Sequence, residues 1–168
     1  MDLNSLTQFA QIVGSISVVL ALGFGAAQIH HFRRERMDKA ASELMRPFQD
    51  TDFTRAFSRL YSIPDGVLAA ELRAMGPEYE QAALALGIRF ETVGLLVFRE
   101  NIPFHLVEEL IGGITVTLWA KLGPWAQDVR VDQDQPRFME WFQWLAEQCE
   151  RRKTNTQPAY AQYRNWEP

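Results

Sequence analysis

The chain has one cysteine, Cys149, so neither an internal disulfide nor a cysteine-built zinc cluster can staple its fold. Stability has to come from packing. Histidine is almost as scarce: His30 and His31 are neighbours, and His105 is the only other. There is no basic surplus, since 17 Lys and Arg stand against 21 Asp and Glu, for a net charge of −4 and a pI ≈ 5.4. Binding along DNA or RNA needs a positive surface that releases counterions, which excludes nucleic acid as a main partner. No repeat of the roughly 20–50 residue period of solenoids is visible. What remains is 168 residues, 47% of them hydrophobic, which is the size and composition of about one domain and excludes a multidomain enzyme.

Charge is also missing from one long stretch, Leu3 to Ile29. Its centre, residues 9–29, predicts a transmembrane helix, because a helix rising ~1.5 Å per residue reaches across the ~30 Å hydrocarbon core at about this length. Asp2 precedes the stretch while Arg33, Arg34 and Arg36 follow it, the reverse of a cleavable signal peptide. The positive-inside rule then puts residues 1–8 outside the cell and the basic juxtamembrane extension, 30–46, in the cytoplasm. The competing reading is a buried helix of a soluble protein, to which Gln11, Ser15 and Ser17 lend support. Ser17, Ala21 and Gly25 recur every fourth residue, a small-residue face through which two spans could approach and self-associate. His30-His31-Phe32-Arg33-Arg34 would meet lipid headgroups, where it fixes topology and can also attract anionic lipid.

Beyond the extension, residues 47–153 read as a bundle of about five helices, giving an all-α fold. Helix formers from Arg33 to Met45 predict that the span continues as one rod until Pro47. Asp50 or Asp52 caps a helix through Phe53, Phe57, Leu60 and Tyr61. A second starts at Ser62-Ile63-Pro64-Asp65 and stops at Gly76-Pro77. Glu78 to Asn101 is the longest soluble pattern, apolar along Tyr79, Ala82, Ala83, Leu86, Phe90, Val93 and Val97 and again at Leu95, Leu96 and Phe98, which predicts the central helix. Pro103 opens the next, with Leu106, Leu110, Ile114 and Leu118 inward and Gly123-Pro124 ending it at Leu122. Gly112-Gly113 inside it predicts a kink or a close neighbour. Pro136 leads the last helix, with Phe138, Trp141, Phe142, Leu145 and Cys149 inward and Arg151, Arg152 and Lys153 at its negative end. Residues 154–168 read as a loose tail, whose Tyr160, Tyr163 and Trp166 dock either on the domain or on a partner.

Chemistry-bearing patterns are sparse. His105 and Glu108, with Glu109, Glu91 and Glu100, invite comparison with carboxylate-bridged metal sites, but those need two Glu-x-x-His pairs, and here one pair stands in reversed order. No metal and no cofactor is predicted. Arg89 and Glu91 lie in the most apolar segment, where charges must be paired, so a structural ion pair between them is expected. The functional alternative makes Glu91 a general acid or base with a raised pKa, alone or with Arg89 or Glu108. Cys149 falls on an apolar helix face, where a buried inert thiol is expected. Neither Gly112-Gly113 nor Gly23-Phe24-Gly25 belongs to a phosphate loop. No catalytic residue is assigned.

Gln11-Ile12-Val13-Gly14 entering the span, Gln28-Ile29 leaving it, and Phe90-Glu91-Thr92-Val93-Gly94-Leu95-Leu96 in the central helix carry a family resemblance. From about Leu6 to about Glu150 the chain resembles a domain-of-unknown-function family of uncharacterised bacterial membrane proteins. That resemblance implies one N-terminal span, a small helical domain on the cytoplasmic face of the bacterial inner membrane, and no assigned reaction. The expected role is a membrane-anchored interaction or regulatory module, perched on the lipid bilayer and partnered by a protein or a second copy. A membrane-tethered enzyme using Glu91, or an accessory subunit binding lipid or a transporter, are the alternatives.

Overall fold

In the computed structural model, residues 46–155 and 157–167 are described, together with positions 24, 25, 28, 39, 42 and 44. The chain divides into two units, Met1–Glu43 and Leu44–Pro168. In the first, Phe24, Gly25, Gln28, Lys39 and Ser42 are helical. The expected segment 1–8, the rest of the span 9–29 and most of the extension 30–46, including Ser17, Ala21, His30 and His31, lie outside the described residues.

In the second unit a 3-10 turn, Arg46–Gln49, holds the Pro47 at which the sequence pattern stops a helix. Helix α1, Thr51–Tyr61, starts where Asp50 accepts the Asp52 N–H through Oδ1 at 3.2 Å, and it buries Phe53 and Leu60. Helix α2 is Ala69–Met75, and Gly76 at φ 128° turns the chain into Pro77, the first residue of α3, Pro77–Phe98. Helices α4, Phe104–Asp132, and α5, Glu140–Asn155, complete the core, and α6, Ala159–Gln162, follows. With six α-helices and no strand among the described residues, the fold is an all-α bundle.

Helix α3 packs against α1, α2, α4 and α5, so it is central, as its two apolar faces require. Ala82, Ala83, Leu86, Phe90, Val93 and Val97 are its buried face. By length and composition alone α3 could also cross a membrane. Ala82, Ala83, Leu86, Phe90, Val93 and Val97 nevertheless fill the bundle core, with Leu84, Ile88 and Phe98 exposed, and Arg89 and Glu91 each engage other parts of the bundle. Both α3 and α4 end in the same cap: Asn101 N–H donates to Leu96 O and Glu100 N–H to Val97 O, while Gln135 N–H donates to Arg130 O and Asp134 N–H to Val131 O. Glu100 (φ 57°) and Asp134 (φ 49°) occupy the left-handed position that glycine usually fills.

Several boundaries differ from the sequence reading. Helix α2 begins at Ala69, not at Ser62, because residues 62–68 form a strap laid across α4. Helix α4 does not stop at Leu122 but runs through Gly123-Pro124 to Asp132. A proline at 124 removes the N–H that would bond the Ala120 carbonyl four residues back. That carbonyl instead accepts the Gly66 N–H at 2.9 Å, and the Lys121 carbonyl accepts the Val67 N–H at 3.1 Å. The strap supplies the lost donor, so the helix continues. The buried face of α4 is Val107, Ile111, Thr115, Leu118, Leu122 and Val129: of the residues expected inward, Leu118 is buried and Ile114 packs on the core, whereas Leu106 is half-buried and Leu110 is exposed. Thr115 can lie inside because its Oγ1 donates to Ile111 O at 2.9 Å. Gly112 packs beside Cys149 of α5, whose Sγ lies 3.6 Å from where a Cβ would be. Helix α5 begins at Glu140 instead of Pro136, after a turn in which Met139 takes a φ of 54°. Within the segment 154–168 lies α6, which buries no residue.

Candidate functional site

The residues flagged as chemical candidates are spread over the bundle, and most of them hold its elements together. The Arg89–Glu91 ion pair is not formed. Residues two apart on a helix point to different sides, so their charges do not meet. Arg89 instead reaches Asp50 Oδ2 at 3.3 Å and lies 5.6 Å above the Phe53 ring, tying α3 to the start of α1.

Glu91 points the other way, to the N-terminus of α5. Its Oε2 accepts the Phe142 N–H at 2.8 Å, so a side chain from α3 satisfies a donor that the first turn of α5 cannot pair by itself. Burial pushes the Glu91 carboxyl above its ordinary value of 4.5, and the Glu140 charge adds to this; the backbone N–H groups of Phe142 and Trp141 and the Arg130 charge oppose it. Around this contact the helices nearly touch. A Cβ on Gly94 would overlap the Trp141 carbonyl, and one on Gly87 would lie 2.5 Å from Met139 Cε. Phe90 stacks on Phe142 with ring centroids 5.0 Å apart. Phe90, Glu91 and Gly94 of the Phe-Glu-Thr-Val-Gly segment therefore form one half of the α3–α5 joint. Arg130 completes the joint from α4, donating through Nε to Phe138 O (2.8 Å), through one terminal nitrogen to Gln143 Oε1 (2.8 Å) and through the other to Met139 O (3.3 Å).

The metal-site comparison finds no support in geometry. His105 is exposed, Glu108 pairs with Arg152 Nε at 3.4 Å, and Glu100 sits on the turn after α3. Among the described residues no three His, Cys, Asp or Glu side chains gather as metal ligands. Cys149 is buried, and burial, reinforced by the Glu108 charge, pushes its thiol up to about 12, where the nucleophilic thiolate is negligible at neutral pH.

Sequence reasoning passed over two features. Lys121 is buried on α4, where its Nζ donates to Ile63 O at 2.6 Å and to Asp65 Oδ1 at 2.9 Å, 5.9 Å from the centre of the Tyr61 ring. Asp128, two turns on, accepts the Ala69 N–H at 2.9 Å and caps α2 from outside that helix. The signal available was a lysine and an aspartate seven apart, one on the apolar face, beside a proline. The second feature is a groove of about 510 Å³ where the end of α3, the start of α4 and the middle of α5 converge, lined by Val97, Phe98, Ile102, Phe104 and Trp144, with Glu100 and Gln148 as polar members. Phe98 is exposed and meets Trp141 at 4.4 Å and Trp144 at 5.8 Å between ring centroids. The volume suits a small ligand or an inserted side chain, and no nucleophile or acid–base pair converges on it.

A family model described as a domain of unknown function, DUF4760, matches residues 15–149. No curated protein and no solved structure matches the chain.

Proposed function

Since the chain belongs to the DUF4760 family, whose function is unassigned, we propose from its own residues that it is a membrane-anchored helical module acting through protein contacts, its 47–153 domain in the cytoplasm. The observation that carries this reading is the uncharged stretch from Leu3 to Ile29 followed at once by Arg33, Arg34 and Arg36. The bundle supports it by elimination of free chemistry: Glu91, Lys121, Asp128 and Arg130 are each committed to joining one element to another. A bacterial inner membrane, with residues 1–8 outside, is the setting that the charge asymmetry favours. Self-association would use the small-residue face of Ser17, Ala21 and Gly25.

The second reading, an enzyme with Glu91 as acid or base, draws on the raised pKa of that carboxyl. The same carboxylate is engaged by the Phe142 N–H, so its burial has an architectural use.

Membranes from cells expressing the full chain test the proposal. Alkaline carbonate should leave the protein in the pellet, and protease added outside intact cells should spare the domain. Release into the supernatant, or digestion of the C-terminal half from outside, would overturn it. Crosslinking within those membranes should yield a dimer that Gly25→Leu removes; monomer alone would end the self-association.

A further inference from the structure

Helix α3 is apolar over more of its circumference than the bundle covers. Opposite its core face it carries Gln81, Leu84, Ala85, Ile88 and Thr92, all exposed, followed by Leu95 and Leu96, half-buried. At ~100° per residue these positions share one arc of about 120°, which runs along about 22 Å of the helix axis. The arc holds no charge. Ile88 is 59% exposed and Leu84 39%, on a side where a solvated helix would carry Glu, Lys or Arg. The Thr92 hydroxyl is already paired inside the helix, donating to Ile88 O at 2.8 Å, so covering the arc leaves that donor satisfied.

Charges stand only along its flanks and at its ends. On the flanks Arg89 is held by Asp50, Glu91 by the Phe142 N–H, and Glu80 by Arg73, whose Nε lies 3.2 Å from Oε1. At the ends Glu78 and Arg99 are exposed, and neither side chain has an ion partner among the described residues. Arg59 reaches the Glu78 carbonyl, not its carboxylate, and Glu100 beside Arg99 lines the groove of Phe104 and Gln148. Twenty-one positions of helix hold Glu78 and Arg99 about 31 Å apart, too far to meet within one chain. A second α3 running antiparallel brings each beside the other's counterpart, whereas a parallel one would oppose like charges. With the two-fold axis at Ile88, Leu84 comes opposite Thr92 and Gln81 opposite Leu95. The outward residues Gln81, Ala85, Ile88, Thr92, Leu95 and Arg99 also step by four and three in alternation, the spacing of a coiled-coil seam. A lipid surface matches less well, since a helix lying on one is rimmed by free Lys and Arg, and the rim here is Glu80, Glu91 and an Arg89 held by Asp50.

We infer that the outward face of α3 is a two-fold contact with a second copy of this chain, the two helices packing antiparallel about Ile88 with Glu78 of each against Arg99 of the other. The contact is separate from the small-residue face of the span and does not rest on the membrane reading.

Single cysteines in the full chain test it, oxidised with copper phenanthroline in isolated membranes. Cys149 is buried, so the parent chain is the blank. Ile88→Cys should give a disulfide-linked dimer, because the axis sets that position beside its own copy. Val131→Cys, on an 81% exposed position of α4, should not. When differently tagged Glu78→Cys and Arg99→Cys chains are made together, the mixed dimer should exceed either self-linked one. Adding Glu78→Lys to Ile88→Cys should lower the dimer yield several-fold, and adding Arg99→Glu as well should restore it, with helical circular dichroism unchanged throughout. No dimer at Ile88→Cys, or no more than at Val131→Cys, would overturn the inference, because the face would then lie in water, on lipid or under another protein. Self-linked Glu78→Cys and Arg99→Cys in place of the mixed dimer would overturn it too, since the pair would be parallel. Should the span reading fail, the same oxidations of the soluble chain decide this contact separately. Gly25→Leu, which tests the span face, should leave the Ile88→Cys link in place.

Discussion

Two glycines in neighbouring helices show how far a residue's meaning depends on what stands opposite it. Gly94 of α3 faces the backbone carbonyl of Trp141, which cannot swing aside as a side chain could. Gly94→Ala should therefore destabilise the bundle by about 1–3 kcal/mol through overpacking. Gly113 of α4 has open space where its Cβ would be, so Gly113→Ala should stabilise by about 1 kcal/mol, the ordinary gain from replacing a helix-interior glycine. Urea midpoints moving in opposite directions would verify the pair. Glu91 gives a second test. Glu91→Ala orphans the Phe142 N–H and should cost about 0.5–2 kcal/mol, while Glu91→Gln keeps an acceptor in place. The raised carboxyl pKa means that the folded chain holds this proton more tightly than the unfolded chain. Its contribution is therefore full below pH 4.5 and is lost as pH rises through the folded value. Wild type should lose stability relative to Glu91→Gln over that rise, and parallel urea curves from pH 4 to pH 7 would contradict the assignment. From the sequence, the need to neutralise or pair Glu91 was readable. Its partner was not, because a backbone N–H leaves no mark in residue identity.

At the scale of elements, the strap over α4 explains why a Gly-Pro pair failed to end a helix. A proline inside a helix usually costs about 3 kcal/mol, part of it the unpaired carbonyl one turn back. Here the Ala120 carbonyl already has a partner in the Gly66 N–H, so Pro124→Ala rescues no orphaned acceptor. The change in unfolding free energy should fall within about 1 kcal/mol; a gain near 3 would show that the strap does not compensate. The ends of α1 and α3 were legible because their signals, the Asp50 cap and Gly76-Pro77, act within the chain segment itself. The start of α2 and the end of α4 were not, since they are settled by hydrogen bonds between residues 66 and 120, 67 and 121, and 69 and 128. The inward face of α4 was only partly legible, Leu118 but not Thr115 or Lys121, for a related reason. Thr115 and Lys121 look like surface residues until Ile111 O and Ile63 O are seen to accept from them.

For the molecule as a whole, the single cysteine is a built-in reporter. Cys149 is buried between α4 and α5 with its thiol pushed up to about 12, so a thiol reagent at neutral pH should react only when the bundle opens. Labelling as a function of urea should follow the loss of helical circular dichroism, as a cooperative core predicts. Reaction well before that loss would mean that α5 detaches on its own. Sequence alone determined that the chain is helical and that α3 is its central helix. Periodicity, caps and composition are properties of a segment and its immediate neighbours, so they survive without coordinates. Only the tertiary structure decided which polar groups act as joints, that Glu91 caps α5 instead of pairing with Arg89, that Lys121 is interior, and that the tail's rings face outward. Each of these depends on an atom many residues away, and distance in space is what a linear pattern does not encode.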